Sequence, residues 1–350
     1  MPSHWDFRAP PPRFVEEAPA HEPFRPPVPA SAPPEEKLAP HLLIVFILAV
    51  LAGIYACLVR KPQVKPAPAG STSQDVSSSS AVSSEPEPVK ERKDDFFTIL
   101  VSGLDDDNGG SDTNILVGFD AKEQAITCVS IPRDTGVYIN GKSRKINYAY
   151  NLGGMDQMWE TVSDALGIPV DFTVEVNLKA FVKLVDEIGG VDFEVPLNMN
   201  YDDPYQDLHI HLKKGMQHLD GQNALKVVRF RHNNDGSGYG TEDIGRIGTQ
   251  QAFLKTVFKK MLANPQKITS YAQIFSEYVK TDLAVSELAW FGQQAILMGM
   301  DKLNFETLPG EWSDRLSRWV IDQEAALELI NNGLNPCTAD RTLDDLHLVG

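Results

Sequence analysis

Residues 42–59, "LLIVFILAVLAGIYACLV", carry no charge at all. Eighteen residues rising about 1.5 Å each cover about 27 Å as a helix, close to one hydrocarbon thickness. A cleaved signal peptide fits poorly, because the run is long, starts forty residues into the chain and lacks a small-residue cleavage site. The stretch is therefore read as one transmembrane helix. Its flanks tighten the constraint. Residues 1–41 are dominated by Pro, Ala and Glu, and residues 60–92 form a Ser/Pro-rich flexible linker. Neither buries enough apolar surface to offset its ordering entropy. A folded domain is thus confined to residues 93–335, with 336–350 as a C-terminal tail.

Within that domain, short apolar strands ("FFTILVSG", "NILVGF", "AITCVSIP") alternate with amphipathic helices ("MDQMWETVSDALG", "IGTQQAFLKTVFKKMLA", "VSELAWFGQQAILMGM"). The run "DFTVEVN", "LKAFVKLVDEIGG", "VDFEVP" reads as a βαβ unit. Gly333 is placed to cap the helix "DQEAALELINNGL". The expectation is an α/β fold with a mixed central sheet between helical layers. The three cysteines make no metal-type spacing, and Cys128 in "ITCVSI" suits a reduced core thiol better than a bridge to Cys337. A formal net charge of −16 argues against a nucleic-acid partner.

Against that acidic balance, cations gather where strands should end. In "SIPRDTGVYINGKSRKIN", Arg133 and Asp134 follow a strand and Arg144 and Lys145 return soon after. In "VSGLDDDNGGSDTNIL", Asp105 and Asp112 bracket a polar loop, a pattern that suits a hard divalent cation as well as a solvated turn. In "ALKVVRFRH", an extended chain would put Arg229 and Arg231 on one side and Phe230 on the other. Two guanidiniums on one face call for an anion between them. The glycine-rich "HNNDGSGYGTE" reads as a mobile lid or a plain connection before a helix starting near Asp243. There Arg246 and Gln250 share a face near the helix N-terminus. A small polyanion such as a pyrophosphate, with a divalent metal, balances this set. No Walker-type loop, GxSxG or Cys/His pair is present, so nucleotide hydrolysis and acyl-enzyme chemistry have no support.

Taken in order from about Phe97 to Ala263, "SIPRDT", "KINYAYNLGG", "VDFEVP", "LKKGMQHLDGQNAL", "VRFRH" and "DIGRIGTQQ" resemble the successive motifs of the LytR-CpsA-Psr family of bacterial cell-wall glycopolymer ligases. The resemblance implies a cytoplasmic N-terminal tail, one membrane span and an extracytoplasmic catalytic domain. Arg60, Lys61 and Lys65 after the span lean the other way by the positive-inside rule, and the resemblance is what sets the orientation. It implies transfer of a glycosyl-phosphate from a polyprenyl-pyrophosphate carrier to peptidoglycan, assisted by Mg²⁺ or another divalent cation such as Mn²⁺. By resemblance, Asp105 and Asp112 hold the metal. Arg133, Lys145, Arg229, Arg231, Arg246 and Gln250 bind the pyrophosphate. Asp134 and Asp243 orient arginines, and one of them takes the acceptor proton. "FVKLVDEIGG" and "QAFLKTVF" are candidate walls of an isoprenoid slot. Two positions depart from the family pattern: Gly110 and Thr249 stand where members usually carry Arg, with Arg144 a conceivable substitute cation. The alternatives are a noncatalytic lipid-glycan or wall-binding protein, and a polyprenyl-pyrophosphate-type pyrophosphatase.

Overall fold

The computed structural model describes residues 59–64, 91–104, 110–205, 207–240 and 242–349. Residues 42–58 of the expected membrane span lie outside them. No helix among the described residues is long and apolar enough to cross a membrane.

Three strands open the domain as an antiparallel meander: β1 (Phe96–Leu104), β2 (Ser111–Asp120) and β3 (Ala125–Ile131). A small hairpin follows, β4 (Gly136–Ile139) and β5 (Lys142–Lys145), then helix α1 (Asn147–Leu166). Next come β6 (Phe172–Val176), α2 (Leu178–Glu187) and β7 (Val191–Val195). The ribbon strands β8 (Met199–Asp203), β9 (Leu208–Leu212) and β10 (Gly215–Leu219) precede α3 (Gly221–Arg229), α4 (Glu242–Leu262) and α5 (Ile268–Tyr278). The chain closes with β11 (Val279–Thr281), α6 (Val285–Met298), β12 (Leu303–Thr307), β13 (Gly310–Ser313), β14 (Arg318–Ile321) and α7 (Gln323–Gly333).

The central sheet runs β11-β6-β1-β2-β3-β12. β6 lies parallel to β1 and β12 parallel to β3, while the other pairs are antiparallel, so the sheet is mixed as expected. Period-two alternation sorts its side chains into two layers. Leu100, Leu116 and Val129 join a core with α1 and α7, and Phe97, Ile99, Phe119 and Cys128 join one with α6. A third core gathers α2 to α5 around Phe230 and Phe253.

Four expectations are corrected. The βαβ unit does not close, because β7 pairs antiparallel with β10 outside the main sheet. A central parallel strand is buried on both faces. Asp192 and Glu194 keep one face of β7 in water, which suits a two-stranded ribbon. Gly333 is the last residue of α7 rather than a left-handed cap. Its smallness serves packing: a Cβ built on Gly333 would lie 2.8 Å from the Thr127 Cγ2, and one built on Gly118 1.9 Å from the Gly333 carbonyl oxygen, so the helix end rests directly on the sheet. Finally, residues 336–349 are no tail. Cys337 bridges to Arg92, Leu348 to Val137, and Leu346 and Leu348 enter the first core. Residues 60–64 of the expected linker likewise dock on the domain, through Arg60 to the Ser286 carbonyl (3.1 Å) and Val64 against the α6 core.

Candidate functional site

β1, β3, β6 and β12 point the same way, so their carboxyl ends share one edge of the sheet. Open α/β sheets collect ligands beyond that edge. Here the edge receives Asp112 from the start of β2, Arg133 from the end of β3 and Asn177 from the end of β6.

Local chemistry explains why the cations converge. After β3, Pro132 opens a tight turn closed by Thr135, whose N–H and hydroxyl both donate to the Pro132 carbonyl (3.0 and 2.7 Å). This presents Arg133 and Asp134 at the sheet edge. The hairpin β4–β5 then reverses at Asn140-Gly141, both with positive φ (52° and 70°), the requirement of a two-residue turn of the mirror-image class. Register pairs Gly136 with Lys145 and so brings the Lys145 ammonium to 2.9 Å from Asp134. Asp134 also lies 3.9 Å from the Arg133 Nε, so it holds both cations toward the edge. Arg144, the conceivable substitute, instead stacks over the Tyr148 ring at 5.1 Å.

Arg229 and Arg231 arrive by a different route from the expected one. Residues 221–229 form α3, capped by Asp220, whose carboxylate accepts from the Asn223 N–H (2.8 Å). The extended reading was wrong up to Arg229, because a capping aspartate and apolar residues at helical spacing outweigh the β-branched pair Val227-Val228. Only at Phe230 does the backbone turn extended, and that ring is fully buried. Arg229 at the helix end and Arg231 just past it still flank the anchor on one side. A cation in the last turn also favours the negative end of the helix dipole.

Asp112 ties the pieces together. Its Oδ1 accepts from Arg133 and its Oδ2 from Arg231 at 2.7 Å, while a third of its side chain stays exposed (33%). Behind it opens a cavity of ≈ 300 Å³. Its lining includes the charged and polar Asp112, Arg229, Arg231, Arg246 and Gln250. Most of the rest is apolar, with Leu104, Val176, Leu178, Leu208, Leu225 and Leu254 among the walls. Of the two expected wall segments only Phe181 and Leu254 reach it; Val185, Phe253 and Val257 are core. Arg246 is almost wholly buried (4% exposed) on α4, four residues from Gln250. The Gln250 amide nitrogen donates to the Val228 carbonyl (3.0 Å), which fixes α4 against the end of α3. Thr249 faces inward and donates to the Gly245 carbonyl (3.0 Å), offering no cation there.

Residues 232–240, expected as a mobile lid or plain connection, are pinned. Asn233 and Asn234 accept from the backbone N–H groups of Asn200 and Asp202 at 2.6 and 2.7 Å, and Tyr239 packs edge-on against Phe230. Sequence reasoning missed the wall supplied by the β8–β9 ribbon, where Tyr201 and Leu208 line the cavity. It also missed Gln251, whose amide nitrogen donates to Ser130, Thr307 and the Glu306 carbonyl and so couples α4 to the ends of β3 and β12. The ribbon's alternation was the one available signal for the former. Asp105 and the Asp243 side chain lie outside the described residues.

The donor chemistry at Asp112 sets a condition on a divalent cation. Both carboxylate oxygens already face guanidiniums. A carboxylate keeps further lone pairs, yet a dication beside two guanidiniums is repelled unless an anion arrives with it. The site therefore fits a metal bound together with a phosphate-bearing ligand.

Fold and site define an α/β domain that presents a cationic mouth over an apolar cavity. The chain belongs to the LytR_cpsA_psr family, whose model matches residues 67–334. It is 34% identical over 238 residues to the polyisoprenyl-teichoic acid–peptidoglycan teichoic acid transferase TagV of Bacillus subtilis, covering 65% of this chain and 59% of that protein. With the corresponding transferase TagU of Bacillus cereus the identity is 37% over 210 residues, covering 58% of this chain and 65% of the relative. The chain thus spans about three-fifths of the length of these curated relatives. The crystal structure of B. subtilis TagV superposes with a TM-score of 0.55 at 30% identity, over 65% of this chain and 91% of that one. A structure of TagT bound to LI-WTA gives 0.53 at 26% identity, over 70% and 94%.

Proposed function

We propose that this chain is a single-pass membrane transferase with its folded domain outside the bacterial cell, moving a glycosyl-phosphate from a polyprenyl-pyrophosphate carrier to a hydroxyl of peptidoglycan. The observation that carries the reading is the bridge Arg133–Asp112–Arg231 at the mouth of an apolar cavity. A polyprenyl pyrophosphate has the same polarity: a doubly charged head and an apolar tail. The names of TagV and TagU as polyisoprenyl-teichoic acid transferases, and the TagT complex with LI-WTA, support the same substrate class.

In this reading the phosphates settle among Arg133, Arg229, Arg231 and Arg246, and the isoprenoid enters between Phe181, Leu208 and Leu254. The acceptor oxygen forms a bond to the sugar-linked phosphorus. The bond from that phosphorus to the bridging oxygen breaks, and polyprenyl phosphate leaves with the electron pair. The hydroxyl proton passes to a carboxylate, Asp134 or Asp243. Guanidiniums placed before the reaction neutralise charge as it moves to the leaving group, the main lever in phosphoryl transfer. Mg²⁺ or Mn²⁺, held by Asp112 with Asp105, would add Lewis-acid charge on the phosphoryl oxygens.

The test is incubation of the full chain with a synthetic lipid-pyrophosphate sugar, divalent cation and peptidoglycan oligomers, read by mass spectrometry. The expected product is peptidoglycan bearing the sugar phosphate, lost in Arg133→Ala. Binding without turnover would instead favour a receptor, a reading that Gly110 and Thr249 keep open. Phosphate release without acceptor would favour a pyrophosphatase.

A further inference from the structure

The β8–β9 ribbon has an inner and an outer face. Met199, Tyr201, Leu208 and Ile210 point inward, the first and last fully buried and the middle two on the cavity wall. Alternation then forces Asn200, Asp202, His209 and His211 onto the outer, exposed face. Register sets Asp202 directly opposite His209, and Asn200 opposite His211.

Three of these side chains converge. The Asp202 Oδ1 lies 2.6 Å from the His209 Nδ1 and 3.2 Å from the His211 Nε2, and one ligand atom from each of the three residues lies within 4.8 Å of the others. The tautomer of His211 is fixed from behind: its Nδ1 is 2.7 Å from the Asn200 Oδ1, an acceptor, so Nδ1 carries the proton. A ring in this tautomer turns a lone pair at Nε2 toward an anionic oxygen that already faces a second imidazole. Two imidazole nitrogens and a carboxylate oxygen aimed at one point call for a positive charge among them, a proton or a metal ion. A ligating histidine oriented by an oxygen on its other nitrogen is the usual outer support of a metal site.

We propose that Asp202, His209 and His211 form a binding site for a first-row transition-metal dication, zinc foremost, which clips strand β8 to strand β9 on the outside of the cavity wall. Imidazole donors favour zinc, copper, nickel or iron over Mg²⁺, which prefers an all-oxygen shell. Three protein ligands leave a fourth tetrahedral position for water. The site is separate from Asp112 and does not depend on the transferase reading. Its effect on the protein is mechanical: the ribbon it clips carries Tyr201 and Leu208 on its other face, so the ion stiffens one side of the cavity.

The experiment uses the full chain, purified in detergent and stripped of metal, titrated with Zn²⁺ alone by calorimetry and assayed by elemental analysis. The wild type is expected to bind one more Zn²⁺ than the His211→Ala variant, and one more than Asp202→Asn. Asn200→Ala is expected to keep the site but weaken it about 10–100-fold, the usual cost of removing an outer-shell partner. Co²⁺ in place of Zn²⁺ should give a visible absorption band that vanishes in His211→Ala. All three positions are exposed, and unchanged circular dichroism melts of the metal-free variants confirm that the fold is intact. Equal Zn²⁺ stoichiometry in wild type, His211→Ala and Asp202→Asn overturns the proposal, as does a wild type that binds no Zn²⁺ or releases it to an excess of Mg²⁺.

Discussion

Two carboxylates at opposite edges of one sheet are both held by arginine, and they differ in every other respect. At the amino ends of β1 and β6, Asp171 is sealed, with 2% of its side chain exposed. It accepts from Arg92 and from both the backbone N–H (2.8 Å) and the hydroxyl (3.0 Å) of Thr98. Arg92 donates in turn to the Phe96 carbonyl (3.1 Å). At the carboxyl ends, Asp112 accepts from the side chains of Arg133 and Arg231, and these arginines are a quarter and a half exposed beside an open cavity. A carboxylate fixed by backbone donors in a closed site is a structural pin. One held by two partly exposed guanidiniums beside a cavity suits an exchangeable counter-ion, which under the proposed function an incoming phosphate would replace. The difference separates function from architecture without recourse to charge counts, since both are Arg–Asp pairs.

That contrast can be broken by experiment. The largest expected effect is on transfer: Arg133→Ala or Asp112→Ala should lower turnover by about 10²–10³-fold, the range for losing one preorganised charge-stabilising group. Their melting temperatures should stay near the wild-type value. Assay and melt together decide the matter, and a normal rate in Arg133→Ala or in Asp112→Ala would remove that residue from the site. At the sealed edge the pattern inverts. Asp171→Ala should cost about 3 kcal/mol of stability by stripping one partner from a buried pair, seen as a lowered denaturant midpoint, while the remaining folded protein keeps its turnover.

Between these lies Gly110, which leads into Asp112 with φ of 92°. Restoring the family's arginine by Gly110→Arg meets backbone strain, and a Cβ there would lie 3.4 Å from the Asn151 side chain. The variant is expected to lose about 1–2 kcal/mol of stability with no gain in turnover. A faster enzyme at full stability would show that the missing cation, and not the backbone, limits this chain. The smallest effect concerns the middle of the sheet. Cys128 is buried in β3, and burial pushes its thiol up to about 12. Peptide mapping after alkylation at pH 8 should find Cys128 unmodified in the native state and modified after denaturation. The sign of its linkage follows: a raised folded value means that its contribution is full below about pH 8.5, the unfolded thiol value, and is lost as pH rises toward about 12. Cys337 is also free and buried, accepting from the Arg341 Nη2 at 3.1 Å, so the two thiols form no bridge.

The sequence made much of this legible because local rules were enough. Short apolar runs located β1, β2 and β3, helical spacing located α4, α6 and α7, and strand ends marked by Arg133, Asp134 and Asp112 pointed to the candidate site's edge. The helix α3 shows where local reading failed. "ALKVVRFRH" holds both β-branched residues and a helical pattern, and the Asp220 cap with the burial of Ala224 and Val227 decided for helix. Asn140-Gly141 is a residue pair that suits a two-residue hairpin turn, but that the turn returns Lys145 to Asp134 depends on a register that only the folded hairpin defines.

By itself the sequence determined the mixed α/β class and the residue types available for binding an anion. These follow from periodicity and side-chain chemistry, which act within a few residues. Tertiary structure alone decided that β7 leaves the main sheet, that residues 336–349 complete the first core, and that Asp112 is shared between Arg133 and Arg231. Those facts bring together residues far apart in the chain, Asp112 and Arg231 by 119 positions and Val137 and Leu348 by more. Their cause is the packing of whole faces against one another, a global balance of burial that no short stretch of sequence encodes.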